Sequence, residues 1–327
     1  MRRREFIALG AGAATLPFAA HAQQQSAMPV IGFLSSRSAN DSTRVLAAFR
    51  QGLAEAGYVE GRNLAIEFRW AEGKFDRLPT LAVELVRRHV ALLVAVGGAQ
   101  TPRAAKAVTA AIPIVFGIGD DPVKEGLVPN LNRPDANMTG TTFFTTLLGA
   151  KRLGLLRELV PNAEVIALLV NQNSSQGQGQ MRDVQEAARA VGQQLVVWNG
   201  GTDEEIDAAF AGIVSQNVGA LLVGSDPFFD PRRERLIGLA AQHAMPAIYQ
   251  FREFALAGGL MSYGASITDM YQQVGVYAGR ILKGEKPSDL PVLQATKFET
   301  VLNLKTAKTL GMSIPDKVLA IADEVIE

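Results

Sequence analysis

Short apolar runs of about five residues alternate with longer stretches whose apolar positions recur every three or four residues. Val30, Ile31, Phe33 and Leu34 make the first run. Leu46, Phe49, Leu53 and Ala56 then fall on one helical face, closed by Gly57. Further runs at residues 64–68, 91–96 and 113–118 are separated by a helix aligning Leu78, Leu81 and Leu85, and by one opening near Thr101 and Pro102. Runs this short and continuously apolar predict strands buried on both faces. Helical connections between such strands make βαβ units and a parallel sheet.

The pattern restarts at residue 165. Strands are predicted over 165–170, 195–198, 220–223 and 247–249. Met181, Val184, Ala188 and Val191 align on one intervening helix, stopped by Gly192. Thr202 and Glu205 form a capping-box pair ahead of Ile206, Phe210 and Ile213, and Asp230-Pro231 caps and starts a further helix. The end of the chain breaks the alternation. It gives a strand over 260–263, a helix aligning Met270, Val274, Tyr277 and Ile281, a proline-punctuated loop, a strand over 298–302 and a short helix over 305–310.

One strand-helix pair is too small to bury a core of its own, so it is expected to return to the first sheet. The expected fold class is α/β, with two Rossmann-like lobes. Lobe 1 comprises 29–144 plus 259–294, and lobe 2 comprises 145–258 plus 295–327. The chain should cross near Phe144, Gly258 and Ala295.

Charge and composition narrow the function. The balance of 32 basic and 32 acidic side chains leaves no electrostatic footprint for nucleic acid or an anionic membrane. No Cys is present, which excludes disulfides, a thiol nucleophile and a thiolate metal site. Arg2, Arg3 and Arg4 precede an Ala/Gly/Leu run that ends at Ala20-His21-Ala22, so residues 1–22 read as a signal peptide cleaved before Gln23. Arg3-Arg4 with Phe6 looks like a twin-arginine signal. Arg2 and Ala8 stand where Ser or Thr and Lys are usual, which keeps an ordinary Sec signal open. With no Cys at the cleavage point, the expected location is the periplasm, exported, soluble and without a lipid anchor.

Enzyme chemistry is poorly represented. Of three His, His21 leaves with the leader, while His89 and His243 fall at helix ends, where a cation suits the helix dipole. No HExxH, GxSxG, Walker A or EF-hand pattern occurs. Gly97-Gly98 follows a strand but lacks the third glycine and the ribose-binding acid of a dinucleotide site. Neither catalysis nor a cofactor is expected. The predicted strand C-termini, where open α/β sheets bind ligands, are instead small and polar: Ser35 and Ser36; Gly98, Ala99 and Thr101; Gly119 and Asp120; Asn173 and Ser174; Asp226. Any one of these could simply cap a helix. Together, with Phe143, Tyr249 and Tyr263 near the expected crossings, they predict a ligand cleft.

Several stretches carry a resemblance. Met138-Thr139-Gly140-Thr141-Thr142 is followed by Lys151-Arg152-Leu153-Gly154-Leu155-Leu156-Arg157-Glu158-Leu159-Val160-Pro161. With Ile31-Gly32-Phe33-Leu34-Ser35, the loop Gly57-Tyr58-Val59-Glu60-Gly61-Arg62-Asn63-Leu64 and Leu302-Asn303-Leu304-Lys305-Thr306-Ala307, they resemble the ABC-transporter substrate-binding family that includes tryptophan- and tyrosine-binding lipoproteins. The resemblance implies a type I periplasmic binding protein with three crossover segments. By position it puts ligand contacts at Ser36, Ala99, Thr101, Gly119, Asp120, Thr142, Asn173, Ser174, Asp226 and near Tyr263. Residues after the third strand would hold a carboxylate, and an acid near Asp226 an ammonium. Its partners would be an ABC permease and its ATPase, with the binding protein itself a monomer. The same fold serves as an extracytoplasmic sensor subunit for a sensor kinase, and that alternative stays open.

Overall fold

The computed structural model describes residues 28–327 apart from 135 and 146, so the leader reading over 1–22 lies outside the described residues. The first half runs β1 (Val30–Ser35), α1 (Thr43–Glu55), β2 (Ala65–Trp70), α2 (Leu78–Arg87), β3 (Leu92–Val96), α3 (Gln100–Val108), β4 (Ile114–Ile118) and β5 (Met138–Thr142). Alternation along β1 sends Ile31 and Phe33 to the core beneath α1, and Leu34 to the one beneath α2 and α3. Both faces are therefore covered, as the unbroken apolar runs require.

β5 was not legible as a strand. Its Thr and Gly residues lack an apolar run, yet all five positions are buried against β4. A Cβ on Gly140 would stand 2.2 Å from the Phe116 carbonyl oxygen, so only glycine admits this approach.

The second half continues with α4 (Gly149–Leu159), β6 (Val165–Val170), α5 (Ser175–Ala190), β7 (Gln194–Asn199), α6 (Asp203–Ser215), β8 (Ala220–Val223), α7 (Arg233–Gln242), β9 (Ala247–Tyr249), α8 (Arg252–Leu256) and β10 (Met261–Gly264). The Thr202 hydroxyl accepts the Glu205 N–H at α6, while the Glu205 carboxylate reaches back to the Gly201 N–H. Then come α9 (Ile267–Leu282), β11 (Leu293–Gln294), β12 (Glu299–Asn303), α10 (Leu304–Thr309), α11 (Asp316–Ala320) and β13 (Glu324–Ile326). Two sheets result, ordered β11-β5-β4-β3-β1-β2 and β13-β12-β10-β9-β8-β6-β7. All strand pairs are parallel except β10 with β12. The architecture is α/β with two lobes.

One expectation fails. The strand and helix over 260–284 do not travel together: β10 pairs with β9 in the second sheet, and α9 alone returns to the first lobe. Adjacent parallel pairing through a short connection is the favoured placement for a strand following β9 and α8. α9 is drawn back by close helix packing against α1. A Cβ on Gly52 would meet the Gln272 carbonyl oxygen at 1.9 Å, and one on Gly275 the Phe49 carbonyl oxygen at 2.2 Å. The second crossing thus falls at Ala265-Ser266, not near Gly258. The first follows β5, at Phe143 and Phe144, and the third lies between β11 and β12.

Candidate ligand site between the lobes

The C-terminal ends of β1, β3 and β4 face those of β6, β8 and β9 across one cleft. In the first lobe the contribution is largely main chain. Gly97 and Gly98 have φ of 92° and 97°, turning the chain after β3 in a way that side-chain-bearing residues resist. The Ser36 hydroxyl donates to the Gly97 carbonyl, and the Ser35 hydroxyl accepts the Arg37 N–H at 3.1 Å, so both serines pin the loop. Ala99 is buried and its N–H donates to the Asp120 carboxylate. Thr101 is fully buried, with no partner for its hydroxyl. The Thr142 hydroxyl donates to the Asp120 carbonyl at 2.7 Å and so holds the loop carrying Gly119 and Asp120.

The second lobe contributes side chains. Asp226 is buried and accepts from Asn171 Nδ2 at 3.1 Å, from the Phe228 N–H at 2.9 Å and from the Ser174 hydroxyl. Ser174 also accepts the Gly177 N–H, so it caps α5 and orients the acid together. Asn173 is exposed and stands outside this cluster. Burial pushes the Asp226 carboxyl up to about 6, against the pull of those hydrogen bonds. Asp120 is pushed up to about 7, by burial first and then by Glu125 and Asp226. Its Oδ2 has no hydrogen-bond partner.

Several residues of the cleft escaped the sequence reading. Arg37 Nη1 meets Asp230 Oδ2 at 2.7 Å, an ion pair between the lobes with both side chains less than a tenth exposed. Gln250 donates to the same carboxylate at 2.9 Å. Asp230 is therefore not the helix cap its Asp-Pro context suggested; α7 begins later, at Arg233. Gln176, Thr145 and Phe251 also border the cavity. Gln176 was hidden because it lies in the first turn of α5, beyond the polar run that marked the strand end. Arg152 is fully buried; its Nη1 donates to the Ser225 hydroxyl at 2.9 Å and its Nη2 to the Thr145 carbonyl at 3.0 Å. No carboxylate pairs with it among the described residues, and burial pulls its pKa down to about 9.

The two expected tyrosines lie elsewhere. Tyr249 stacks on Phe254 at 4.8 Å and 15°, because α8, which carries no period long enough to read, folds Phe254 over it. Tyr263 packs with the second-lobe core, its ring 6.4 Å from Phe298, because β10 belongs to the second sheet rather than to a crossing.

Between the lobes remains a cavity of about 20 Å³, bounded by Gly98, Gly119, Thr145, Gln176, Asp226 and Tyr271 among others. That is room for about one water molecule. Phe143 and Phe251 approach to 5.9 Å between ring centres, and Arg44 meets Glu253 at 3.2 Å, so the lobes are shut on each other. Among the described residues no cluster suits a metal ion, and no helix is long and apolar enough to cross a membrane.

Two Rossmann-like lobes with polar strand ends meeting at one cleft define a binding protein of the type I periplasmic class. Residues 30–326 match the family of ABC transporter substrate binding proteins, and the chain belongs to that family. It is 26% identical over 266 residues to the tyrosine-binding protein of Clostridioides difficile strain R20291, covering 81% of this chain and 75% of the relative. A conserved domain protein of Vibrio cholerae O1 biovar El Tor superposes with a TM-score of 0.82 at 25% identity, over 91% of this chain and 99% of that one. The ABC domain of Streptococcus pneumoniae in complex with L-Trp gives 0.80 at 25% identity, with the same coverage.

Proposed function

We propose that this chain is the solute-binding component of an ABC importer, closing over a small polar molecule of the amino-acid or aromatic amino-acid type. The observation that carries the reading is a set of buried polar atoms without partners: Thr145 Oγ1 and Gln176 Oε1 line the cavity, and Asp120 Oδ2 and Thr101 Oγ1 lie on the segments that follow the lining residues Gly119 and Gly98. Buried polar groups are almost always satisfied, so an unmatched group of them where two lobes meet suits a ligand that supplies the missing bonds. Asp226 and Asp120 suit an ammonium, and the Thr101 and Thr145 hydroxyls suit an acceptor such as a carboxylate. The names of the tyrosine-binding relative and of the L-Trp complex agree with that chemistry. In this reading the three crossings act as the hinge. The partners are a permease and its ATPase, the site of action is the periplasm after removal of residues 1–22, and the binding protein works as a monomer without catalysis of its own.

A thermal-shift screen of residues 23–327 against amino acids, aromatic acids, purines and sugars tests it, since a ligand that binds only the folded chain raises the melting temperature. An amino acid should give the largest shift. For that ligand, Asp226→Asn and Thr101→Ala are each expected to weaken binding by about 1.5–3 kcal/mol, the scale of losing a hydrogen bond to a charged group. Calorimetry that finds unchanged affinity in both variants would remove these residues from the site. A screen in which only sugars or purines bind would overturn the ligand class.

A further inference from the structure

A second cavity, of about 290 Å³, lies at the hinge and is separated from the cleft by Phe143 and Met270, which line both. Every crossing contributes to its wall: Thr141 to Phe143 at the first, Ser266 at the second, and residues 293–297 at the third. Its body is apolar, through Phe143, Met270 and Ala295. The Thr142 and Ser266 hydroxyls in the wall are hydrogen-bonded within the protein, but other polar groups there lack a partner. The Thr141 hydroxyl is buried, with no hydrogen-bond partner. Asp269 and Lys297, both exposed residues, line the cavity with charges of opposite sign, and neither has an ion-pair partner among the described residues. The volume sits at the lower edge of the range for small-molecule sites.

We propose that this cavity is a second ligand site, taking a small zwitterion with an apolar body, such as an α-amino acid with a branched or aromatic side chain. Lys297 would receive the carboxylate, Asp269 the ammonium, and Thr141 one further hydrogen bond. Because the walls come from all three crossings, the lobes cannot rotate apart without reshaping the cavity. An occupant here favours the closed arrangement and raises affinity in the cleft, and a cleft ligand raises affinity here by the same factor.

The site is tested with L-phenylalanine in calorimetry and with 4-iodo-L-phenylalanine in crystals, where the iodine anomalous signal locates the probe directly. Density beside Phe143 and Lys297 is expected, with a matching solution event below about 10 mM. Asp269→Asn and Lys297→Gln should each weaken that event about tenfold. Phenethylamine and 3-phenylpropionate, each lacking one charge, should be weaker than L-phenylalanine by a similar factor. In Asp226→Asn the anomalous peak beside Phe143 and Lys297 should remain, so the hinge site stands or falls separately from the cleft. Small-angle scattering should show the probe shifting wild type, but not the double charge variant, towards the compact form. No anomalous peak in this cavity, a peak in crystals without a solution event, or a solution event indifferent to both charge variants would each overturn the proposal.

Discussion

The two lobes share one fold plan and meet at one cleft, yet they equip it in different ways. The first lobe offers turns and small residues: Gly97 and Gly98 in positive φ, Gly119, and Ser36, which ties the loop after β1 to the loop after β3. The second offers side chains: Asp226 held by three donors, Asp230, Gln176 and Gln250. Main chain placed by glycine turns fixes shape with little freedom, whereas long polar side chains fix charge and can turn with the ligand. The cleft thus has a shaped wall facing a charged one. Arg37 and Asp120 are the exceptions, carrying charge from the first lobe to the second.

The contrast breaks most severely at Arg37. Removing one partner of a buried ion pair leaves the other charged and unmatched, at a cost of about 3–5 kcal/mol. Here the chain can escape that cost by opening. Arg37→Ala should therefore shift the ligand-free protein to the open arrangement, read as a larger radius of gyration in small-angle scattering. Arg37→Met combined with Asp230→Leu should restore compactness. Arg44→Ala, which removes a pair whose arginine is over half exposed, should change little. A scattering profile unchanged by Arg37→Ala would mean that this pair does not hold the lobes together.

The shaped wall is probed by Gly97→Ala. The φ of 92° disfavours any side chain, and a Cβ there would stand 2.4 Å from Ser36 Oγ. Together the strain and the displaced serine should lower stability by about 1–3 kcal/mol and weaken ligand binding as well. Gly126→Ala, at φ 68° with nothing within 4 Å of its Cβ, isolates the backbone part. Equal losses in the two variants, measured by chemical denaturation, would show that close packing behind the wall contributes nothing.

A pH series separates the two acids. Asp120 and Asp226 have folded values near 7 and 6, above the roughly 3.9 of an unfolded aspartate. Between those values the folded chain binds more protons than the unfolded one, so stability falls as pH rises through this window and is regained as pH drops. A ligand ammonium needs the charged carboxylates, so its affinity should run the other way and weaken below about pH 6. Melting curves with and without ligand across this range test both signs. Asp120→Asn should remove the upper part of the dependence and Asp226→Asn the lower part.

Much of this design was legible in the chain. Gly98, Asp120, Ser174 and Asp226 stand where apolar runs stop, and the strand-end rule pointed them to one cleft. The rest was hidden for identifiable reasons. Gln176 lies inside a helix whose period shows only its apolar face. Thr141 belongs to a strand without an apolar run. Tyr249 carried the same signal as a cleft aromatic, and only the short helix α8 decided that it stacks in the core.

The sequence by itself determined the succession of strands and helices, the restart that makes two lobes, and the polar ends of the strands. Each of these follows from side-chain periodicity and local backbone preference within a few residues. Tertiary structure alone decided which sheet β10 joins, that Asp230 pairs with Arg37 across 193 residues of chain, and that three crossings enclose a cavity beside the cleft. Those outcomes depend on surfaces brought together from distant segments. Close contact between Gly52 and Gly275, or between opposite charges on two lobes, has no local period to announce it.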